Sequence, residues 1–381
     1  MPNVAAYIAV ILIAALVTGV MTRPAARVAR RVDYTDAPGG RKVHAIVTPY
    51  GGGAAMFIGL CATVAIAPIF PALRPVITVD HEVLGVLVAA GIIFLVGVID
   101  DYRQMSAPAK TAGQVLAASV LYFSGATMVD FKVPFGGFII IGSSLLPIVT
   151  AAWVFALSNA INLIDGLDGL AGGIVAIASG TLFIYGLRLE ALGLLPATNP
   201  GPLIAAATCG ICLGFLPDNF HPARLFMGDA GALMLGLLMS ASTMVIGGRT
   251  PPTSGVTFFF FAPLFIPVFI LGVPLMDAAL AFIRRTASGA GFSTPDKKHI
   301  HHRLMRLGHG HRRTVVILWL WTVLLCSFVL FPLFLPRVNV FIPVGVAALA
   351  AALYTWFHPG LTGKKTDRSG LDDHYHATPH A

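Results

Sequence analysis

The stretch 156–173 reads ALSNAINLIDGLDGLAGG and places Asn159, Asn162, Asp165 and Asp168 at three-residue intervals. On a helix that spacing keeps side chains near one face. The stretch enters as an apolar run and leaves through glycines, so two amides and two carboxylates are expected at one end of a membrane helix. Polar groups there need a partner, water or a ligand. A substrate or metal site meets that need, and so does a polar cluster tying neighbouring helices together; the first is favoured because similar groups recur elsewhere.

DDYRQMSAPAK puts Asp100 and Asp101 at a helix end, followed by Lys110. Adjacent carboxylates at a helix C-terminus face the negative end of its dipole. A divalent ion, Lys110 or Arg103 is expected to offset them. FLPDNFHPARLFMGDAGALMLG sets Asp229 at a helix N-cap between Gly228 and Gly231. Asn219 and Phe226 offer an amide and a flat apolar surface nearby, suited to a base or ribose. RKVHAIVTPYGGG carries Lys42 and His44 beside a tight turn, where a site role and headgroup binding weigh equally. The segment 284–313 is rich in Arg, Lys and His, including His299, His301, His302 and Arg303. Its cations suit a pyrophosphate. Its histidine spacing is not that of a zinc site, so phosphate binding is favoured over metal ligation, and His309 and His311 are read as solvated. Several hard oxygen donors with a few cations and no thiol point to Mg²⁺, with Mn²⁺ as the variant, shared with substrate phosphates.

The elements that must position these groups are membrane helices. Apolar residues make up 56% of the 381 and charged residues only 11%, where soluble domains carry about a quarter; mean hydropathy is +0.83. Spans are expected at 4–21, 51–69, 83–99, 110–125, 145–163, 171–187, 202–217, 230–247, 257–283, 314–334 and 338–357. That makes an all-α, polytopic protein of eleven helices, with one membrane domain over 1–357 and a polar tail over 358–381. Assigning loops alternately leaves only Arg74, Lys132, Arg188, Arg249 and Arg337 outside, of 25 Lys and Arg. The positive-inside rule then sets the N-terminus outside and the C-terminus in the cytoplasm. The first run has no Lys or Arg before it, so it reads as a retained helix rather than a signal peptide. Every polar cluster above falls on the cytoplasmic face. The net charge of +8 sits in alternate loops, which argues against nucleic-acid binding. Cys61, Cys209, Cys212 and Cys326 lie inside apolar spans and read as packing residues. No GxxxxGK[ST] appears, which argues against an ATPase motor. The charges cluster at one face and no inverted repeat is visible, which argues against a transporter.

DDYRQMSAPAK, NAINLIDGLDGLAGG, NFHPARLFMGDAGAL and PDKKHIHHRL stand in the order and spacing of the polyprenyl-phosphate N-acetylhexosamine-1-phosphate transferases of glycosyltransferase family 4. RKVHAIVTPYGGG resembles their opening block, and the resemblance covers about residues 1–330. One branch of the family, transferring phospho-N-acetylmuramoyl-pentapeptide, typically carries three consecutive histidines in its last block. The other, transferring N-acetylglucosamine (GlcNAc) 1-phosphate or a related sugar phosphate, typically has His-x-His-His after basic residues. HIHH after Lys297 and Lys298 resembles the second.

The resemblance implies an Mg²⁺-dependent enzyme of the bacterial plasma membrane. It would use a UDP-N-acetylhexosamine and undecaprenyl or decaprenyl phosphate, release UMP, and begin a cell-envelope polysaccharide. It counts Asp100, Asp101, Asp168, His301 and His302 as catalytic, with Asp100 activating the lipid phosphate. Asp229 and Asp101 would hold the metal. Lys42, His44, Lys110, Asn159, Asn162, Asp165, Asn219, Phe226, His299 and Arg303 would bind substrate, Phe226 by stacking on uracil. Direct attack and a covalent Asp intermediate both remain open. A homodimer is implied by analogy. Asp218 departs from the family pattern, which has an apolar or aromatic residue there, and has no role assigned.

Overall fold

A computed structural model describes residues 3–36, 47–79, 81–133, 137–247, 272, 310–335 and 341–357. Helix α1 (Val4–Arg31) runs ten residues past its expected end, through Pro24. At about 1.5 Å per residue it is about 42 Å long, more than the hydrocarbon core of about 30 Å, so its last basic turns reach the aqueous boundary. Tyr7, Val10, Ala14, Thr18 and Thr22 form its buried stripe at helical spacing, while Leu12, Leu16 and Val20 stay exposed on the opposite side. That is the pattern of a helix with one face on protein and one on lipid.

The chain continues through α2 (Gly52–Ile66), a 3₁₀ turn, the short α3 (Arg74–Thr78), α4 (Glu82–Arg103) and α5 (Ala107–Phe123). It then forms α6 (Leu146–Ile164), α7 (Leu170–Ala191), α8 (Gly201–Asn219), α9 (Gly228–Gly247), α10 (His311–Phe334) and α11 (Phe341–Phe357). Two antiparallel ladders interrupt the helices. β1 (Thr35–Asp36) pairs with β2 (Thr48–Pro49), and β3 (Asp130–Val133) pairs with β4 (Gly137–Ile140). Among the described residues, eight helices are long and apolar enough to cross a membrane. The protein is an all-α, polytopic membrane protein. The expected span at 257–283 lies outside the described residues except for residue 272; each of the other ten falls on a helix.

Helix α9 is the hub, bordered by α2, α4, α6, α7 and α8. It is apolar on all sides, as a helix enclosed by others should be, and Asp229 is its one residue that is not buried. Small residues let its neighbours come close. A Cβ on Gly97 of α4 would lie 2.3 Å from the Cα of Ala230 and 2.6 Å from the carbonyl carbon of Asp229. Glycine at 97 therefore sets how near the acidic end of α4 comes to Asp229.

Candidate active site

The α4–α5 corner begins the site. Gln104 takes a left-handed conformation at φ 50° and reverses the chain. The Met105 N–H donates to Asp100 Oδ1 at 2.7 Å, fixing that carboxylate at the corner. The reversal carries Lys110 back over the end of α4. Its ammonium donates to Asp100 Oδ2 at 2.7 Å and also to Asp229 Oδ2. Asn162, near the end of α6, donates to the other Asp229 oxygen at 2.7 Å. Three helix ends thus converge on Asp229, whose side chain is 30% exposed.

Asp101 does different work from its neighbour. Its Oδ1 accepts the Asp229 N–H at 2.9 Å, and its Oδ2 accepts the Ala230 N–H at 3.2 Å. Tyr34 donates its hydroxyl to Oδ2 at 2.6 Å. Asp101 therefore caps α9 from across the helix interface, satisfying N–H groups that the first turn leaves open. Gly228 is required for this, because its φ is +66° and a Cβ there would lie 2.4 Å from Asp101 Oδ2. The expectation that Asp229 is itself the cap is corrected, because the helix begins at Gly228 and Asp101 accepts N–H groups of its first turn. The paired-aspartate question resolves without Arg103: Lys110 offsets Asp100, and the N-terminus of α9 offsets Asp101.

Tyr34 and Tyr50 are site-wall residues that the sequence reading did not pick out. Tyr34 stacks on Tyr102 and tilts against Tyr50, which in turn meets Phe226 at 6.3 Å between ring centroids. Burial, then the hydrogen bond to Asp101, holds the Tyr34 phenol well above its ordinary range, so it stays a donor. Burial, then the charge of Asp36, raises Tyr50 likewise. Backbone pairing sets this wall: the Phe226 N–H donates to the Pro49 carbonyl at 3.0 Å, and the Gly52 N–H to the Phe226 carbonyl at 2.9 Å. The VTPYGGG turn is thus a template for the loop before α9, and it holds Phe226 half-buried beside the acidic centre.

Asn219 and Asn159 make contacts within the bundle. Asn219 is 3% exposed. It accepts from the Gly169 N–H at 2.9 Å and donates to the Leu225 carbonyl at 3.0 Å. It braces the α6–α7 turn against the α8–α9 loop. Asn159 donates to Gln114 of α5 at 3.2 Å and to the Phe155 carbonyl at 2.7 Å. It joins α6 to α5 one turn below Lys110. Asp218 acquires a role: it accepts the Thr22 hydroxyl at 2.6 Å, tying α8 to α1.

The single-face reading of 159–168 stops at Ile164, where α6 ends. Asp165 is the C-cap, half-buried beside the carboxylates of Asp229, Asp101 and Asp168. Burial, then those three charges, pushes its carboxyl up to about 8. Asp168, past the turn, faces elsewhere. Its Oδ2 lies 2.6 Å from His221 Nδ1, accepts the Ala223 N–H at 3.1 Å, and stands 4.0 Å from His311 Nε2. The rings of His221 and His311 stack with centroids 4.1 Å apart. His311 is not the solvated residue expected, since its side chain is only 12% exposed. It is the first residue of α10, just after Gly310. Lys42, His44, His299, His301, His302 and Arg303 lie outside the described residues.

The donors around Asp229 are of the chemical class that a hard divalent ion takes. Asp100, Asp165 and Asp229 with the amide oxygen of Asn162 are oxygen ligands of the kind Mg²⁺ takes. The Lys110 ammonium between Asp100 and Asp229 marks where this electrostatic field favours positive charge. A flexible lysine can withdraw from that position when another cation enters.

A cation-seeking carboxylate group at converging membrane-helix ends, walled by aromatic rings, suits transfer of a phosphate-bearing group. Comparison with known proteins agrees. Residues 83–247 match glycosyl transferase family 4. The chain is 36% identical over 359 residues to the decaprenyl-phosphate N-acetylglucosaminephosphotransferase of Mycobacterium tuberculosis (strain ATCC 25618 / H37Rv), covering 91% of this chain and 82% of that one. It is 36% identical over 318 residues to the probable undecaprenyl-phosphate N-acetylglucosaminyl 1-phosphate transferase of Bacillus subtilis (strain 168), covering 83% and 81%. Against the undecaprenyl-phosphate alpha-N-acetylglucosaminyl 1-phosphate transferase of Escherichia coli (strain K12) the identity is 28% over 312 residues, covering 80% and 77%. The chain belongs to glycosyl transferase family 4 and is a membrane-embedded transferase. Within that family its relatives place it in the polyprenyl-phosphate N-acetylglucosamine-1-phosphate transferase branch.

Proposed function

We propose that the protein transfers GlcNAc-1-phosphate from UDP-GlcNAc to a polyprenyl phosphate at the cytoplasmic face of the bacterial plasma membrane. The observation that carries the reading is the convergence of Asp100, Asp229 and Asn162 on and around Lys110 in a chain with these relatives. An oxygen of the lipid phosphate attacks the sugar-bearing phosphorus of the donor. A new P–O–P bond forms, the bond to the UMP oxygen breaks, and UMP leaves with that electron pair. The products are polyprenyl-diphospho-GlcNAc and UMP.

Each residue has a physical task in that reaction. Asp100 and Lys110 place the lipid phosphate, with Lys110 exchanging a carboxylate partner for a phosphate oxygen. A phosphate monoester is already largely dianionic at neutral pH, so placement by Asp100 matters more than proton removal. Phe226 and the Tyr50 wall offer rings to the uracil. Asp229, Asp100 and Asp165 would hold Mg²⁺, which supplies charge neutralisation at the reacting phosphates. Asp101, Asn159 and Asn219 keep the helix ends in register.

The test is reconstitution. Purified protein with Mg²⁺, polyprenyl phosphate and UDP-GlcNAc is expected to release UMP and form a solvent-extractable sugar lipid. Chelator should stop it and Mg²⁺ restore it. A UDP-N-acetylmuramoyl-pentapeptide arm separates the other branch. Product from neither donor would overturn the transferase reading for this substrate pair, and product from the second alone would reassign the branch.

A further inference from the structure

Asp168, His221 and His311 come from three elements: the α6–α7 turn, the loop after α8, and the first residue of α10. One ligand-capable atom from each lies within 4.8 Å of the other two. An ionised carboxylate can only accept, so at Oδ2 of Asp168 His221 donates through Nδ1 at 2.6 Å. His311 aims Nε2 at the same oxygen but stops at 4.0 Å. That nitrogen is buried and has no hydrogen-bond partner among the described residues. A buried polar atom left this way is costly and calls for an explanation. A cation between the three groups would give Nε2 a partner and would face the Asp168 carboxylate.

We propose that Asp168, His221 and His311 form a second cation site, one that takes a zinc-class transition-metal ion and is separate from the oxygen-lined centre at Asp229. The donor set decides the class. Two imidazole nitrogens and one carboxylate suit Zn²⁺ and its first-row neighbours, whereas the centre at Asp229 offers oxygen alone. With Zn–ligand distances of about 2.0–2.1 Å, donors on one tetrahedral ion stand roughly 3.3 Å apart. The 2.6 and 4.0 Å separations bracket that value, but rings stacked at 16° point their nitrogens side by side, so one imidazole must turn out of the stack for both to meet one ion. Three protein ligands leave a fourth position open to water or a phosphate oxygen. The ion would pin the start of α10 to the loop before α9.

The experiment uses full-length protein in detergent, stripped with chelator and returned to metal-free buffer. Zn²⁺ binding is measured by equilibrium dialysis with millimolar Mg²⁺ present. Co²⁺ serves as the spectroscopic probe. The parent is expected to retain one Zn²⁺ per chain against Mg²⁺ and to show the visible absorption of low-symmetry nitrogen- and oxygen-bound Co²⁺. His221→Ala and His311→Ala should each weaken Zn²⁺ by about 100-fold, while Asp229→Asn should not. His311→Gln, which keeps the bulk of the ring position, repeats the test if alanine unfolds the chain, with the melting temperature as the check. No Zn²⁺ on the parent would overturn the site irrespective of any variant. So would displacement by Mg²⁺, loss in Asp229→Asn alone, or loss in His301→Ala and His302→Ala with retention in the His221 and His311 variants.

Discussion

Two neighbouring aspartates at the end of α4 have separable functions, and substitution should tell them apart. Asp101 is spent on two α9 N–H groups and the Tyr34 hydroxyl. Asp101→Ala leaves those donors unpaired, a loss of about 2 kcal/mol by the usual cost of a missing cap. It is expected to lower the melting temperature by several degrees. Asp229→Asn keeps the shape and the Asn162 contact but removes the charge that Lys110 and a metal would share. It should melt within a degree or two of the parent and lose turnover on the order of 10²-fold or more. Paired melting and UMP-release assays check both, and unchanged turnover in Asp229→Asn would remove it from the metal site. Asp165 gives the pH counterpart. Its carboxyl stands at about 8 in the fold against roughly 3.9 in an unfolded chain. A raised carboxylate is no burden below the lower value, and its cost grows as pH climbs through the interval up to the higher one. Without divalent metal, Asp165→Asn should therefore match the parent near pH 4 and become progressively the more heat-stable up to pH 8. A parallel pair of melting curves across that range would refute the assignment.

At the scale of helices, the site depends on how closely two of them pack. Gly97→Ala puts a methyl carbon 2.3 Å from the Ala230 backbone. Overpacking of this kind costs about 1–3 kcal/mol. Here it also moves Asp100 and Asp101 away from the start of α9, so UMP release should fall together with the melting temperature. Gly142→Ala, where an added Cβ meets nothing within 4 Å, should change neither. Most helices were readable because a span needs a long apolar run, and such runs are hard to miss in this composition. The end of α1 was not, since Arg and Ala after Pro24 continue a helix as readily as they begin a loop. The convergence of Asp100, Lys110, Asn162 and Asp229 was legible as polar residues sharing a face. Which of them meets a ligand was not. The hydrogen bonds of Asp101 to α9 N–H groups and of Asn219 to Gly169 and Leu225 go to backbone groups that only the packed fold brings near. His311 went unread for the same reason: nothing in GHGHRR marks the carboxylate that arrives from Asp168, far earlier in the chain.

Across the whole molecule, helix direction gathers the polar residues. Asp100, Asn162 and Asn219 lie near the C-terminal ends of α4, α6 and α8, while Lys110, Gly169 and Asp229 lie at or beside the N-terminal ends of α5, α7 and α9. Antiparallel neighbours therefore deliver all six to one end of the bundle. The far end of α7 is about 33 Å away by its 22 residues, the thickness of the hydrocarbon core. The charge asymmetry of the loops predicts a cytoplasmic polar end, and that proposal has a direct test. Arg224 is exposed beside the site, with 82% of its side chain accessible, and Leu192 is exposed just past the other end of α7. With the four native cysteines replaced by alanine, Arg224→Cys should react with a membrane-impermeant maleimide only in inverted vesicles. Leu192→Cys should react only in right-side-out ones. The opposite pattern would place the nucleotide-facing end outside the cell, away from cytosolic UDP-sugar, and the proposed reaction could not run in that orientation.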